Sequence, residues 1–259
     1  MDIIVKRDYD EMSRCAAEHI AALIRKKPDC VIGFATGATP IGTYRELVRI
    51  YNEEGLDFSN VKTFNLDEYL GISMDLSKPY ILDQSYRRFM HEELFKHINI
   101  NEENINIPDG LARDPEEECL KYEEKIKEAG GIDLQILGIG GNGHWAFNEP
   151  GSSFDSRTRV IKLNEQTLND NYEAFYKKAG IPREKMPHYA ITMGIGTILE
   201  AKSVLMLANG AKKAEIVAKA LEGPVTTMVT ASSIQIFKGK ATVILDGEAA
   251  SMLVKQTIK

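Results

Sequence analysis

Residues 30–47 read CVIGFATGATPIGTYREL and contain a complete strand–loop–helix unit. The run from Cys30 to Ala35 is short and continuously apolar, which is typical of a strand buried in a parallel sheet. The segment TGATP follows it, and the apolar spacing of residues 41–51 predicts a helix. We expect Thr39 to be the N-cap of this helix and Pro40 its first residue. The free N–H groups of the loop would then suit a phosphate, although an ordinary capped helix start explains the local pattern as well.

The same alternation of apolar runs and helical spacing continues along the chain. Further strands are predicted at 61–66, 133–140, 189–194, 203–210 and 241–247, and further helices at 11–27 and 115–129. Alternating strands and helices indicate the α/β class, with an open, mostly parallel sheet and helices on both faces. Because no linker, repeat or low-complexity tract interrupts the pattern, we expect residues 1–259 to form a single domain.

Composition excludes several classes of function. The formal net charge is −6 and basic residues are not clustered, so no nucleic-acid partner is expected. The three cysteines, Cys15, Cys30 and Cys119, are scattered and predict neither a disulfide framework nor a zinc site. No apolar run reaches the roughly 18 residues of a membrane helix. We therefore expect a cytoplasmic protein without membrane association.

Ligands of such sheets bind outside the carboxyl ends of the strands, which directs attention to four loops. In the second of these, Asp67 and Glu68 follow a predicted strand, and only one of them can face the crevice because successive side chains alternate. We favour Asp67 as a shielded carboxylate that acts as a general base; a polar residue that ends a strand is the alternative. In the fourth, Lys212 and Lys213 either bind the same anion or form a solvated surface pair.

The third loop, GIGGNGHWAFNEPG at 138–151, carries the most specific pattern. Its G-x-G-x-x-G spacing is not a dinucleotide fingerprint, because Pro150 interrupts the helix that this fingerprint requires. A metal site is not expected either, since His144 has no second histidine at ligand spacing. Asn142 precedes His144 by two residues and Glu149 follows it by five. An imidazole between an amide and a carboxylate is typical of proton transfer, and a structural histidine is the alternative.

Together these segments resemble the glucosamine-6-phosphate deaminase (isomerase) family. The matching pieces are ATGATP, FNLDEYLG, SYRRFM, GIGGNGHWAFNEPGSSFDSRTR, AITMGIGTIL and GAKKA, which occur in the family's order over nearly the whole chain. The resemblance implies a Rossmann-like fold, an amino-sugar phosphate as the small-molecule partner, and no metal or cofactor. The implied reaction converts glucosamine 6-phosphate and water to fructose 6-phosphate and ammonia.

The resemblance also implies roles for individual residues. Asp67 would take the C2 proton during enolisation, and His144, oriented by Asn142 and Glu149, would open the pyranose ring. The phosphate ligands would be Thr36, Gly37, Ala38, Thr39 and Lys213.

Several positions depart from the family pattern. Trp145 replaces a small aliphatic residue, and we expect its indole to pack behind the site. Glu173 stands where the family has an arginine that contacts phosphate, and Lys177 or Lys178 is a candidate to compensate. The segment 71–86 is longer than usual and is expected to act as a lid. Ile161 replaces the lysine of the family's allosteric site, so activation by that effector is not expected.

A galactosamine 6-phosphate enzyme, a 6-phosphogluconolactonase, a sugar-phosphate sensor and a homo-oligomer all remain open.

Overall fold

The computed structural model describes residues 1–71 and 84–254. Its centre is a seven-stranded sheet in the order β1-β10-β9-β6-β2-β3-β5, and every neighbouring pair in it is parallel. The strands are β1 Asp2–Lys6, β2 Val31–Phe34, β3 Lys62–Asn65, β4 Asp67–Tyr69, β5 Ile105–Asn106, β6 Leu134–Leu137, β7 Arg159–Lys162, β8 Tyr189–Thr192, β9 Ser203–Ala208 and β10 Lys240–Asp246. The predicted α/β class and the open, mostly parallel sheet are confirmed.

Helices alternate with these strands and pack around the sheet. They are α1 Tyr9–Lys26, α2 Ile41–Glu54, α3 Tyr86–Glu93, α4 Pro115–Glu128, α5 Glu165–Asn171, α6 Ile195–Leu199 and α7 Ala214–Glu222. Two of the three longest begin at side-chain caps. Asp8 accepts a hydrogen bond from the N–H of Glu11, and Asp114 accepts from the N–H groups of Glu116 and Glu117. These contacts satisfy N–H groups that a helix start leaves without partners.

A second, smaller sheet lies beside the first and corrects one prediction. Residues 189–194 were expected to add a strand to the parallel sheet, but β8 lies between β4 and β7 and pairs antiparallel with both. The apolar run YAIT is compatible with either sheet, and its partners decide which one it joins. Because β4 follows β3 after one residue, the chain passes directly from the large sheet to the small one at Leu66.

The start of α2 also differs from the expectation. Pro40, not Thr39, occupies the N-cap position of α2, and no side chain caps that helix. Thr39 instead donates its hydroxyl to Asn209 Oδ1 at 2.7 Å, so a contact between two loops replaces the local cap. After β10 the described chain forms turns. The expected lid at 71–86 lies mostly outside the described residues.

The apolar interior consists of two clusters. The larger one surrounds the parallel sheet and includes Trp145, which is fully buried and packs behind the site as expected. The smaller one joins the small sheet to the 163–186 region and contains Tyr69, Phe147 and Tyr176. No helix among residues 1–71 and 84–254 is long and apolar enough to cross a bilayer.

Candidate active site

One cleft of about 370 Å³ lies at the carboxyl ends of the parallel strands. All four loops that the sequence singled out contribute to it. Its described lining includes residues 35–40 after β2, 66–67 at the end of β3, 138–141 with His144 after β6, and Lys213 after β9. A cleft of this size and position is suited to a small polar ligand.

The loop after β2 forms one wall of the cleft. Gly37 has a φ of +103°, a conformation that glycine adopts without the strain other residues incur. The Thr39–Asn209 hydrogen bond joins this loop to the one after β9. From that second loop, Lys213 enters the cleft and donates to the carbonyl of Ile139 at 2.7 Å. Among the described lining residues, Lys213 is the single lysine or arginine. The wall therefore combines backbone N–H groups, hydroxyls and one cation, which suits a phosphate.

Asp67 lies at the junction of the two sheets and faces the cleft. It pairs with Thr192 across the small sheet, and its residue is 5% exposed. Its carboxylate makes no hydrogen bond with any other described residue. Burial, and secondarily the negative charge of Glu68, raise its pKa well above the usual 3.8. A carboxylate with raised proton affinity beside a cleft has the properties of a general base.

Glu68 points away from the cleft and has a structural role. Its carboxylate accepts hydrogen bonds from the N–H groups of Tyr69, Tyr86 and Arg87 and from the hydroxyl of Ser85, at 2.9–3.0 Å. These contacts attach the start of α3 to β4. Only Asp67 of the acidic pair is therefore placed to act on a ligand.

His144 is oriented by Asn142, which is in turn oriented by Glu149. The Asn142 amide donates from Nδ2 to Glu149 Oε2 at 2.8 Å, so its oxygen faces the imidazole and lies 2.6 Å from Nδ1. A carboxylate can only accept, and this requirement fixes the orientation of the amide. Nδ1 must then carry the proton, and Nε2 is left to exchange a proton with a ligand. Glu149 Oε2 itself lies 3.6 Å from Nδ1, so it acts on the ring mainly through its charge.

Thr167 is a partner of this group that the sequence analysis missed. Its hydroxyl donates a short hydrogen bond to Glu149 Oε1 from the first turns of α5. Burial favours a raised pKa for Glu149, but contacts with His144, Thr167 and Asn142 outweigh it and lower the pKa to about 2. Glu149 therefore stays ionised near neutral pH and keeps a negative charge beside the imidazole.

A cluster of aromatic side chains forms another part of the cleft wall. Tyr69, Tyr86 and Phe147 are in mutual ring contact, with centroids 4.8–6.0 Å apart. The Tyr86 hydroxyl lies 3.1 Å from that of Tyr69, which also accepts a hydrogen bond from Asn171 at 2.9 Å. Tyr69 and Tyr86 lie in the family motifs FNLDEYLG and SYRRFM, but no signal in the sequence assigned them to the cleft.

Glu173 does not belong to this wall. It is exposed and forms an ion pair with Lys177 at 2.8 Å. This pair occupies Lys177 at the surface, and neither Lys177 nor Lys178 lies among the described lining residues of the cleft. Neither lysine is therefore placed in the described part of the cleft to replace the missing arginine.

The profile of one known family, described as glucosamine-6-phosphate isomerases/6-phosphogluconolactonase, matches residues 7–243. The chain belongs to this family. A relative from Thermoanaerobacter sp. (strain X514), named glucosamine-6-phosphate deaminase, is 48% identical over 259 residues, which cover 100% of this chain and 98% of the relative. A relative of the same name from Clostridium botulinum (strain Langeland) is 49% identical over 253 residues, covering 98% and 99% of the two chains.

Among solved structures, one described as a monomeric glucosamine-6-phosphate deaminase superposes with a TM-score of 0.90. It is 44% identical, and the match covers 97% of this chain and 100% of that structure. The family resemblance inferred from the sequence motifs is therefore confirmed.

Proposed function

We propose that this family member converts glucosamine 6-phosphate and water to fructose 6-phosphate and ammonia. The observation that carries the proposal is the convergence of three groups on one sugar-sized cleft. These are the loop at 36–39 with Lys213, the buried carboxylate of Asp67, and the imidazole of His144 held by Asn142 and Glu149. The deaminase name of relatives at 48–49% identity supports the same reaction.

The reaction begins with opening of the pyranose ring, for which His144 is the proton carrier. Its Nε2 takes the proton of the C1 hydroxyl and delivers it to the ring oxygen as C1=O forms and the C1–O5 bond breaks, while Asn142 keeps the opposite nitrogen protonated. The charge of Glu149 stabilises the imidazolium when it forms.

Asp67 then removes the proton from C2 of the open chain. The electrons of the C–H bond form a double bond between C1 and C2, while the C1=O π electrons move to O1, which takes up a proton. Asp67 returns its proton to C1, and the electrons of the amine nitrogen form an iminium with C2. Water adds to C2, the C2–N bond breaks to release ammonia, and loss of a proton from the added oxygen leaves the C2 ketone of fructose 6-phosphate. Because no electron leaves the substrate, the sequence of steps balances without an oxidant or reductant.

The phosphate of the substrate positions the sugar relative to Asp67 and His144. Thr36, Gly37, Ala38 and Thr39 supply N–H and hydroxyl donors, and Lys213 supplies positive charge. Fixing the far end of an open-chain sugar orients C2 towards Asp67, and orientation of this kind contributes up to about 7–11 kcal/mol to catalysis.

The decisive experiment measures ammonia release by the purified protein and by Asp67→Asn. We expect the wild-type protein to release ammonia from glucosamine 6-phosphate, and the variant to lose about 10²- to 10⁴-fold in kcat because its amide cannot take a proton. Asp155→Asn is a matched control, since it makes the same change in the exposed loop after the site. Absence of ammonia release with every hexosamine phosphate would refute the proposal.

The same assay separates the alternatives. Galactosamine 6-phosphate is compared side by side, because Trp145 is buried behind the site and does not select between the two epimers. Hydrolysis of 6-phosphogluconolactone without deamination would indicate a lactonase, and sugar-phosphate binding without turnover would indicate a sensor. We further propose that the chain acts in the cytoplasm, where sugar phosphates are found, without a nucleic-acid partner. Size measurement in solution decides between a monomer and a homo-oligomer.

A further inference from the structure

Tyr176 carries a polar atom that the catalytic scheme leaves unused. It ends the π-helical turn Tyr172–Tyr176 that follows α5, and its residue is 2% exposed. Its hydroxyl has no hydrogen-bond partner among the described residues. Buried hydroxyls almost always have partners, so an orphan of this kind calls for an explanation.

Tyr176 is also one of the residues that line the cleft. The neighbouring polar groups on its wall already have partners. Thr167 donates to Glu149, Asn171 donates to Tyr69, and Tyr69 is bonded to Tyr86. The described residues around the cleft thus leave the Tyr176 hydroxyl available to a group that comes from outside.

We propose that the Tyr176 hydroxyl hydrogen-bonds an oxygen of the bound sugar phosphate, which makes Tyr176 a substrate-binding residue of this cleft. The inference rests on the proposed function for the identity of the ligand. Phosphate oxygens and sugar hydroxyls both accept from a phenol, and they are the two sources of such an oxygen.

The charge distribution of the cleft explains why a neutral hydrogen-bond donor is needed to bind a phosphate. A phosphate carries up to two negative charges, and Lys213 is the one lysine or arginine among the described lining residues. Glu173 and Lys177 pair with each other at the surface and contribute no net charge. Neutral donors must therefore supply part of the binding. Burial raises the pKa of Tyr176, so its hydroxyl keeps its proton throughout the working pH range.

The π-helical turn accounts for how the side chain is placed. Such turns are rare, and they frequently occur at functional sites because the extra residue redirects the side chains that follow. Here the turn ends at Tyr176, whose ring packs in the smaller apolar cluster with Tyr69 and Phe147. A phenylalanine would retain that packing and remove only the hydroxyl.

The test compares Tyr176→Phe with Tyr189→Phe, which makes the same change at an exposed tyrosine of β8 outside the described lining of the cleft. We expect Tyr176→Phe to raise the KM for glucosamine 6-phosphate about 3- to 10-fold, the range for one hydrogen bond, with kcat within about twofold of wild type. We expect its Tm without ligand to be unchanged or higher, because the variant lacks the orphan hydroxyl. Tyr189→Phe should match the wild type in every measurement.

Two further measurements identify the accepting oxygen and keep the test independent of turnover. If the inhibition constant of inorganic phosphate rises in Tyr176→Phe together with the KM, the acceptor is the phosphate; if only the KM rises, it is a sugar hydroxyl. The rise in Tm caused by fructose 6-phosphate should be smaller in Tyr176→Phe than in the wild type, even if the protein releases no ammonia. The inference is wrong if Tyr176→Phe has the same KM as the wild type and the same rise in Tm with fructose 6-phosphate. This outcome would count against it whether or not the proposed reaction is confirmed.

Discussion

Asp67 and Glu68 are adjacent, and both carboxylates are buried, but their surroundings differ. Glu68 accepts four hydrogen bonds, whereas Asp67 makes none with the described residues and faces the cleft. Desolvation without hydrogen bonds destabilises a charged carboxylate in the folded protein. The same type of side chain is therefore structural at one position and reactive at the next.

This difference predicts opposite effects on stability. Because folded Asp67 holds its proton more tightly than the unfolded chain does, its ionisation destabilises the fold at every pH above its raised pKa. At neutral pH we expect Asp67→Asn to raise the Tm by about 2–4 °C, the shift for about 1 kcal/mol in a chain of this size. Glu68→Gln should lower the Tm, since its amide group leaves buried donors without acceptors at a cost of about 1–3 kcal/mol.

Thermal melts at several pH values check both expectations. The advantage of Asp67→Asn should appear as the pH rises from 3.8 through the raised pKa, and it should vanish below 3.8, where both states of the wild type are protonated. An Asp67→Asn variant that is less stable than the wild type at pH 7 would contradict this account of its surroundings.

At the level of elements, the loop between β6 and β7 replaces the helix that usually follows a parallel strand. Residues 138–158 form turns, with Gly140 and His144 joined by a backbone hydrogen bond of 2.9 Å. The imidazole folds back onto Gly140, and a Cβ at that position would overlap with the ring. Ala146 has a φ of +51°, an unusual value for a residue other than glycine, which is typical of a constrained functional loop.

Gly140→Ala should therefore displace the imidazole without unfolding the protein. We expect kcat to fall about 10²-fold, since misplacing a catalytic group by about 1 Å has an effect of that size. Gly247→Ala is the matched control, because a Cβ at Gly247 makes only ordinary contacts, its φ is not positive, and it lies outside the described lining of the cleft. Ammonia release and far-UV circular dichroism are measured for both variants. If kcat falls equally in the two variants, the requirement for glycine at position 140 does not come from contact with His144.

At the level of the whole molecule, the two apolar clusters meet at the site. Trp145 belongs to the larger cluster and Phe147 to the smaller one, and only Ala146 separates them in the chain. Asp67 likewise connects the two sheets. We propose that residues 1–259 fold as one domain, because the elements of the cleft come from both parts.

A single domain should unfold in one cooperative transition. Trp145 is the only tryptophan and is fully buried, so its fluorescence reports on the larger cluster, while far-UV circular dichroism reports on both sheets. We expect the two signals to give the same urea midpoint. Fructose 6-phosphate at about 100 times its Kd should shift both midpoints together, by the equivalent of about 2.7 kcal/mol. Separate midpoints would indicate two independently folding units.

The sequence by itself determined the fold class, the family and most of the cleft. The apolar runs at 30–35 and 203–210 and the glycine-rich loop at 138–151 follow local rules, since strand burial and turn formation depend on nearby residues. The carboxyl-end rule then located the loops that carry Asp67, His144 and Lys213. These features can be predicted from the sequence because each depends on a short contiguous segment.

Only the tertiary structure decided which distant groups become partners. It placed YAIT in a second, antiparallel sheet, turned Thr39 from a cap into a partner of Asn209, and brought Thr167 to Glu149. It also left the hydroxyl of Tyr176, at the cleft, without a hydrogen-bond partner among the described residues. None of these outcomes follows from local propensity, because each depends on which surfaces meet when the helices and both sheets pack. Hydrogen bonds between residues far apart in the chain are fixed only by that packing.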